Sequence, residues 1–177
     1  MKLIDSKSVK LTMLEEHTII KPFESTDKDL NDFLQNDAKK YLKSMLAVTY
    51  LYETDDETVA YFTLSNDNLT RNDEEKSQWN KINRSIPNEK RRRTYPAVKI
   101  GRLAVSKNFS GLGIGSKMIG TVITMYLEHQ QRAGCRFASV DAYKGAIPFY
   151  QRSDFKFLTE KDKDEDTRAM YFDLKAI

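Results

Sequence analysis

The feature that most constrains this chain is a run of closely spaced glycines between a strand-like and a helix-like segment. Three glycines fall within five positions of Ser110–Gly115, which reads Ser-Gly-Leu-Gly-Ile-Gly. Ahead of it, the apolar residues of Pro96–Val105 predict a strand buried on both faces. After it, apolar residues recur at helical spacing from Ile114 to about His129. This order predicts an α/β chain with a glycine loop between strand and helix.

Such a loop suits a phosphate group. Glycine lets the backbone approach a ligand closely and adopt positive φ. Successive N–H groups then face one concavity, and the following helix adds the positive end of its dipole. A turn that serves only strand–helix packing is the plainer interpretation, and a single glycine pair favours neither. Three glycines placed between strand and helix favour the phosphate site.

Two common phosphate motifs fit the loop poorly. A P-loop needs Gly-Lys followed by Ser or Thr, whereas Gly115–Lys117 reads Gly-Ser-Lys. A dinucleotide fingerprint needs a third glycine where Met118 stands. Asp141 ends the next predicted strand and could mimic the ribose-binding acid, but only 36 residues follow it. That is too few for the remaining strands of a doubly wound domain.

The other segments predict a mixed sheet with flanking helices. Ser25–Asp27 offers N-cap side chains before an amphipathic helix over about residues 27–44. Residues 66–95 are polar and charged, and we expect a surface excursion holding a short helix. We expect one α/β (α+β) domain over residues 1–177. The further predicted elements are strands at Val9–Met13, Phe137–Asp141, Phe155–Leu158 and Ala169–Leu174, a helix at Ala146–Arg152 followed downstream by an acidic turn at Lys161–Asp166, and an antiparallel hairpin of Met45–Glu53 with Thr58–Ser65.

Two signatures together resemble a known family. Lys99–Val105 (Lys-Ile-Gly-Arg-Leu-Ala-Val), with the glycine loop after it, looks like the cofactor signature of the GNAT superfamily of N-acetyltransferases. Ala146–Phe155 (Ala-Ile-Pro-Phe-Tyr-Gln-Arg-Ser-Asp-Phe) is similar to the family's Ala-x-x-Phe-Tyr-x-x-x-Gly-Phe. The two lie in the family's order and at its separation, and the resemblance spans nearly the whole chain.

Two positions depart from the family pattern. Ser110 stands where the family usually has Gln or Arg, which removes one side chain near the phosphates but leaves the backbone amides. Asp154 stands where glycine is usual before Phe155, so we expect the turn there to be altered.

The resemblance implies a single GNAT-type domain with a central mixed, splayed β-sheet flanked by helices. It implies acetyl-CoA as donor, direct transfer of the acetyl group to a primary amine, and no metal ion. The end of the strand would offer backbone groups to the pantetheine arm, and loop amides would hold the pyrophosphate. The cofactor-binding residues implied in this way are Leu103, Ala104, Val105, Ser110, Gly111, Leu112, Gly113, Ile114, Gly115 and Ser116.

Tyr150 matches the family position whose hydroxyl faces the thioester sulfur, which makes it the candidate catalytic residue. A phenol can give a proton to the departing thiolate, and a backbone N–H near Val105 can stabilise the tetrahedral oxyanion. Packing beside Phe149 and Phe155 is the alternative role of this ring. The two signatures together favour the catalytic role.

No side chain in the sequence stands out as a general base. Asp141 is the candidate by its place at a strand end, although a turn or capping aspartate is the plainer interpretation. Glu53 and Glu57 are expected to decorate the hairpin. We expect His17 and His129 at the surface. Cys135 is expected to pack at the start of a strand.

The acceptor is less constrained than the donor. Lys90–Arg93 (Lys-Arg-Arg-Arg) fits either a solvated loop or an RNA contact. Several segments resemble one GNAT branch, which includes acetyltransferase toxins of toxin–antitoxin pairs: Phe23–Ser25, Leu30–Leu34, Tyr61–Ser65 and Tyr95–Val105. Some of these toxins acetylate aminoacyl-tRNA. The resemblance therefore leaves tRNA, an antitoxin and a second copy of the chain open as partners. A non-catalytic acyl-CoA sensor is a further alternative.

Composition narrows the class of ligand and the cellular compartment. The net charge of +3 favours anionic ligands only weakly. One cysteine allows neither a disulfide framework nor a cysteine-based metal cluster, which fits a reducing cytoplasm. Met1–Lys10 has no apolar signal-peptide core, and no apolar run has the roughly 18 residues of a membrane helix. We expect a cytoplasmic protein with no membrane segment.

Overall fold

The computed structural model describes residues 9–71, 74–128 and 133–176. Within them, seven strands form one mixed sheet in the order β1-β2-β3-β4-β5-β7-β6, which confirms the predicted class. The strands are β1 Lys10–Met13, β2 Val48–Glu53, β3 Thr58–Thr70, β4 Thr94–Val105, β5 Phe137–Tyr143, β6 Lys156–Phe157 and β7 Thr167–Asp173. The helices are α1 Lys28–Asp32, α2 Ala38–Lys43, α3 Lys76–Asn83, α4 Ile114–Glu128 and α5 Ile147–Arg152.

The described ladders are mostly antiparallel. β1 pairs with β2, β2 with β3, and β7 with both β5 and β6 in this sense. β4 and β5 are parallel, with Ala97 beside Phe137 and Lys99 beside Ser139. A parallel pair needs a long crossover, and here the crossover contains the glycine loop and α4.

The helix predicted over about residues 27–44 is present but is interrupted. Asp27 caps its start, because its Oδ1 accepts hydrogen bonds from the N–H groups of Asp29 (2.9 Å) and Leu30 (3.3 Å). A π-helical turn at Phe33–Asp37 then separates α1 from α2. The sequence did not reveal this turn, because apolar residues continue through it at near-helical spacing.

The chain divides into two compact units. One lies within Met1–Ser65 and Ile100–Val122, and the other within Asn66–Lys99 and Ile123–Ile177. β3, β4 and α4 each contribute residues to both units. None of the described helices is long and apolar enough to cross a membrane.

The first unit has helices on both faces of its strands. Tyr52 points to the face of β2 opposite Leu51, and its Oη lies 2.5 Å from Oγ1 of Thr121 on α4. The other face packs beneath the π-helical turn and α2. That core consists of Leu14, Phe33, Leu34, Ala38, Leu51, Tyr61 and Ala104.

The second unit is layered in the same way. Tyr171 and Phe172 point to opposite faces of β7. Phe172 packs on Phe155, just after α5, with ring centroids 5.6 Å apart. Tyr171 belongs to a core on the α3 side, which consists of Leu69, Trp79, Ile82, Ile86, Tyr95, Ala97, Phe137 and Tyr171. Residues 66–95 therefore contribute core side chains, a strand end and α3, while Lys90–Arg93 is exposed.

Candidate active site

The glycine loop is anchored on its upstream side. The N–H of Ser106 donates to the carbonyl of Val59 (2.8 Å), and the N–H of Lys107 donates to the carbonyl of Glu24 (2.9 Å). The Phe109 side chain is only 2% exposed, so it is buried beneath the turn. These contacts hold the loop's start against β3 and the segment before α1, and they leave Ser110–Gly113 exposed to solvent.

The loop has the backbone that its glycines predict. Gly111 and Gly113 adopt φ of 79° and 75°, a region that L side chains rarely enter. A Cβ added at either position would meet no heavy atom within 4 Å, so the space beside this backbone is open. Packing therefore does not require these glycines, whereas the positive φ of the backbone favours them.

The helix after the loop begins where the loop ends. Lys117 N–H donates to the carbonyl of Gly113 (3.1 Å), so the first helical hydrogen bond of α4 starts at Gly113. The amides of the first helical turn lack intrahelical acceptors, and the dipole of the 15-residue α4 is positive at this end. This exposed, donor-rich loop fits a pyrophosphate group.

The end of β4 presents backbone donors away from β3. Ser106 N–H donates to Val59 and Arg102 N–H donates to Thr63 Oγ1 (2.9 Å), so both face β3. Successive N–H groups along a strand face opposite edges. The N–H groups of Leu103 and Val105 therefore face the other edge of β4, where an extended ligand could pair with them.

Tyr150 lies on α5, and the end of that helix fixes its position. Ser153 is the C-cap, and Asp154 follows with φ of 63°. Phe155 N–H donates to the carbonyl of Tyr150 (3.0 Å), and Asp154 N–H donates to that of Gln151 (3.1 Å). These two bonds are those of a Schellman motif. The expectation that Asp154 alters the turn is wrong, because Asp tolerates the left-handed conformation that glycine usually supplies.

The Tyr150 ring is buried among aromatic side chains. It is 6% exposed and makes edge-to-face contacts with Phe149 (5.0 Å between centroids) and Phe155 (5.4 Å). Burial raises the pKa of Tyr150 above its ordinary value, since the phenolate would be poorly solvated here. The hydroxyl therefore stays protonated at neutral pH and can act as a donor.

The carboxylates considered as bases are already paired. Asp141 Oδ2 accepts from Lys99 Nζ (2.5 Å) on the neighbouring parallel strand. Glu53 does not decorate the hairpin as expected, because it is only 7% exposed. Its carboxylate accepts hydrogen bonds from Thr12 (2.9 Å) and Thr58 (3.4 Å).

The other candidates are two histidines and a cysteine. His17 is exposed and pairs with Glu15, while His129 lies outside the described residues. Cys135 precedes β5, where burial raises the pKa of its thiol and disfavours the thiolate. In the part of the chain described, no group of three His, Cys, Asp or Glu side chains could hold a metal ion.

One charged residue in this region escaped the sequence analysis. Arg102 lies within β4 and inside the Lys99–Val105 signature, but its side chain was given no role there. Its guanidinium carbon lies 3.8 Å from the ring centroid of Phe33 and 5.4 Å from that of Tyr41. The available signal was a second basic residue, after Lys99, in a largely apolar strand.

Comparison with known proteins agrees with this geometry. A family model described as the acetyltransferase (GNAT) family matches residues 11–155. No curated protein sequence matches the chain. One similar solved structure is a tyrosine-to-phenylalanine variant of the toxin AtaT with the C-terminus of the antitoxin AtaR and acetyl-CoA; it is 18% identical over 96% of this chain and 95% of that chain, with a TM-score of 0.75. A variant of KacT is 22% identical over 96% of each chain, with a TM-score of 0.77. AtaT complexed with acetyl-methionyl-tRNAfMet is 20% identical over 95% of this chain and 96% of that chain, with a TM-score of 0.77.

The fold and the two signatures define an acyltransferase that uses acetyl-CoA as its donor. The chain belongs to the GNAT acetyltransferase family.

Proposed function

We propose that this enzyme transfers the acetyl group of acetyl-CoA directly to a primary amine, with Tyr150 as the proton donor to the departing thiolate. The observation that carries the proposal is the fixed position of Tyr150. Its backbone is held by the hydrogen bonds at the end of α5 and its ring by two aromatic neighbours, while burial raises the pKa of a hydroxyl that is already protonated at neutral pH. A protonated phenol at this signature position can neutralise a thiolate as the carbon–sulfur bond breaks.

The donor would be held mainly by backbone. Positive φ at Gly111 and Gly113 and the free amides at the start of α4 support pyrophosphate binding by Leu112–Ser116. The outward N–H groups of Leu103 and Val105 support pairing with the pantetheine arm. The amide near Val105 would also stabilise the oxyanion formed during transfer. Ser110 adds no large side chain, so this binding depends on main-chain geometry.

Release of free coenzyme A thiol tests the proposal. Purified protein is mixed with acetyl-CoA and a panel of small amines, polyamines, lysine peptides and charged tRNA, and acetylated products are identified by mass. We expect thiol release that requires one class of amine. Tight acetyl-CoA binding without release for any acceptor would contradict transfer and favour a sensor.

The alternative acceptor is the amino group of aminoacyl-tRNA. The exposed run Lys90–Arg93 supports it, since lysine and arginine side chains on a surface suit phosphate contacts. The fold is also that of AtaT, whose complex with acetyl-methionyl-tRNAfMet is known. An antitoxin partner belongs to the same alternative, because AtaT binds AtaR.

Growth and salt dependence separate the tRNA acceptor from other amines. If charged tRNA is the acceptor, expression arrests growth, and the double variant Lys90→Gln/Arg92→Gln raises KM for tRNA while leaving transfer to small amines unchanged. Healthy growth at high expression, or activity on charged tRNA that is insensitive to both substitutions and to salt, would contradict this alternative.

A further inference from the structure

Arg102 is a partly buried cation whose contacts are aromatic. Its guanidinium lies over the Phe33 ring and near that of Tyr41. No carboxylate within the described residues lies within 4 Å of it, whereas Arg136 is paired with Asp173 and Arg168 with Asp162. Two arginines of this chain are thus paired with carboxylates. Arg102 instead contacts aromatic rings, which leave its guanidinium N–H groups available to donate hydrogen bonds.

The surroundings of Arg102 hold a second polar group without a partner. The backbone N–H of Arg102 donates to Thr63 Oγ1 (2.9 Å), and Thr63 lies opposite Thr49 on the paired strand. Thr49 is fully buried, and its Oγ1 has no hydrogen-bond partner among the described residues. By strand alternation, Thr49 and Thr63 point to the face that carries Tyr61, beneath the helices. A buried polar atom without a partner is uncommon in native structures.

The helix above this face is irregular at the same place. The π-helical turn starts at Phe33, the residue stacked on the guanidinium. Phe33 and Tyr41 also contact each other edge-to-face, with centroids 5.2 Å apart. Single π turns occur frequently at functional sites. Here the turn and α2 supply the two rings that fix the orientation of Arg102.

We propose that Arg102 binds an oxyanion, a phosphate or a carboxylate, carried by the acceptor amine. A planar guanidinium suits such groups because its parallel N–H donors match their oxygens. Arg102 lies three residues before Val105 on an extended strand, a separation of about 10 Å. The anion would therefore bind about 10 Å from Val105, on the strand that would hold the donor. This inference depends on the proposed transfer to an amine.

Direct binding tests the site without requiring turnover. The probes are 2-aminoethyl phosphate, β-alanine and the neutral ethanolamine, titrated by calorimetry into wild type, Arg102→Gln, Arg102→Lys and the exposed control Arg84→Gln. We expect wild type and Arg84→Gln to prefer one anionic probe by about 10- to 100-fold, the range of a charge-assisted hydrogen bond. Arg102→Gln removes the preference, and Arg102→Lys retains part of it. The favoured probe identifies phosphate or carboxylate.

Two further measurements test the site in the wild-type protein and in Arg102→Gln. If Arg102→Gln does not fold, the Nε–H resonance of Arg102 in the wild-type protein must shift on addition of the favoured probe. The affinity for acetyl-CoA must stay unchanged in Arg102→Gln. An equal loss of acetyl-CoA affinity, an anion preference that survives the substitution, or no preference in wild type would overturn the assignment.

Kinetics separate this inference from the proposed function. We expect Arg102→Gln to raise KM for the anionic amine and to change kcat little. Transfer with the same kcat/KM on anionic and neutral amines in both proteins would refute the anion site and leave the transferase intact. Anion binding at Arg102 without any acetyl transfer would refute the proposed function and leave the anion site standing.

Discussion

Tyr150 and Phe155 are joined twice, once through the backbone and once through their rings. Phe155 N–H donates to the Tyr150 carbonyl over 3.0 Å, and the ring centroids lie 5.4 Å apart at 66°. The hydrogen bond is the outer one of the Schellman motif, and the ring contact is the apolar contact that often accompanies it. The candidate proton donor is therefore positioned by how its helix ends.

The first prediction concerns the residue between them. Asp154 occupies the left-handed region (φ 63°), which costs a non-glycine residue roughly 1 kcal/mol. We expect Asp154→Gly to raise the free energy of unfolding by about 0.5–1 kcal/mol, with kcat unchanged because Tyr150 keeps its position. Urea denaturation measures the change.

The matched substitution at this position is Asp154→Ala, which retains a Cβ and loses the tolerance of Asp for positive φ. We expect it to destabilise the protein and to lower kcat modestly as the end of α5 loosens. Equal stability of the Gly and Ala variants would show that the conformation at Asp154 carries no cost.

The second prediction concerns the phosphate loop. Gly113→Ala places a Cβ where φ is 75°, directly in the proposed pyrophosphate site. We expect the Kd for acetyl-CoA to rise at least tenfold, measured by calorimetry. Gly120→Ala is the control, because Gly120 lies within α4 with open space around it. It should stabilise the protein by up to about 1 kcal/mol and leave the Kd unchanged. A normal Kd for Gly113→Ala would remove the loop from the donor site.

The third prediction concerns alkaline stability. Burial raises the pKa of Tyr61 and Tyr150 above the ordinary value near 10. The unfolded chain therefore loses these protons first, so their contribution is complete below about pH 10 and is lost as pH rises above it. We expect the free energy of unfolding to fall above about pH 10, with a shallower fall in Tyr150→Phe than in Tyr143→Phe. Tyr143 is 61% exposed and serves as the control. An identical pH dependence in both variants would contradict the assigned burial.

The loop and the strand before it could be predicted because their chemistry is local. Gly111 and Gly113 need positive φ wherever such a loop binds phosphate, and the apolar run of β4 marks a buried strand without reference to distant residues. The conformation at the end of α5 was harder to predict. The sequence shows an Asp where glycine is usual, and only the backbone shows that Asp154 adopts the glycine conformation.

The remaining features depend on contacts between distant segments. The π-helical turn at Phe33 and the position of Arg102 on its ring are set by packing of a helix on β4, which no local pattern encodes. Glu53 looked like a surface residue because charged side chains are usually solvated. Its burial depends on hydroxyl donors from Thr12 and Thr58, which lie on the two neighbouring strands.

The central claim is that Tyr150 gives a proton to the departing thiolate of acetyl-CoA, and thiol release by Tyr150→Phe tests it most directly. The substitution removes one hydroxyl and keeps the ring contacts, so the fold and the Kd for acetyl-CoA should be preserved. We predict that kcat/KM falls about 10²- to 10⁴-fold, the usual contribution of a general acid, while Tyr143→Phe matches wild type. Thiol release by Tyr150→Phe at the wild-type rate would contradict the account.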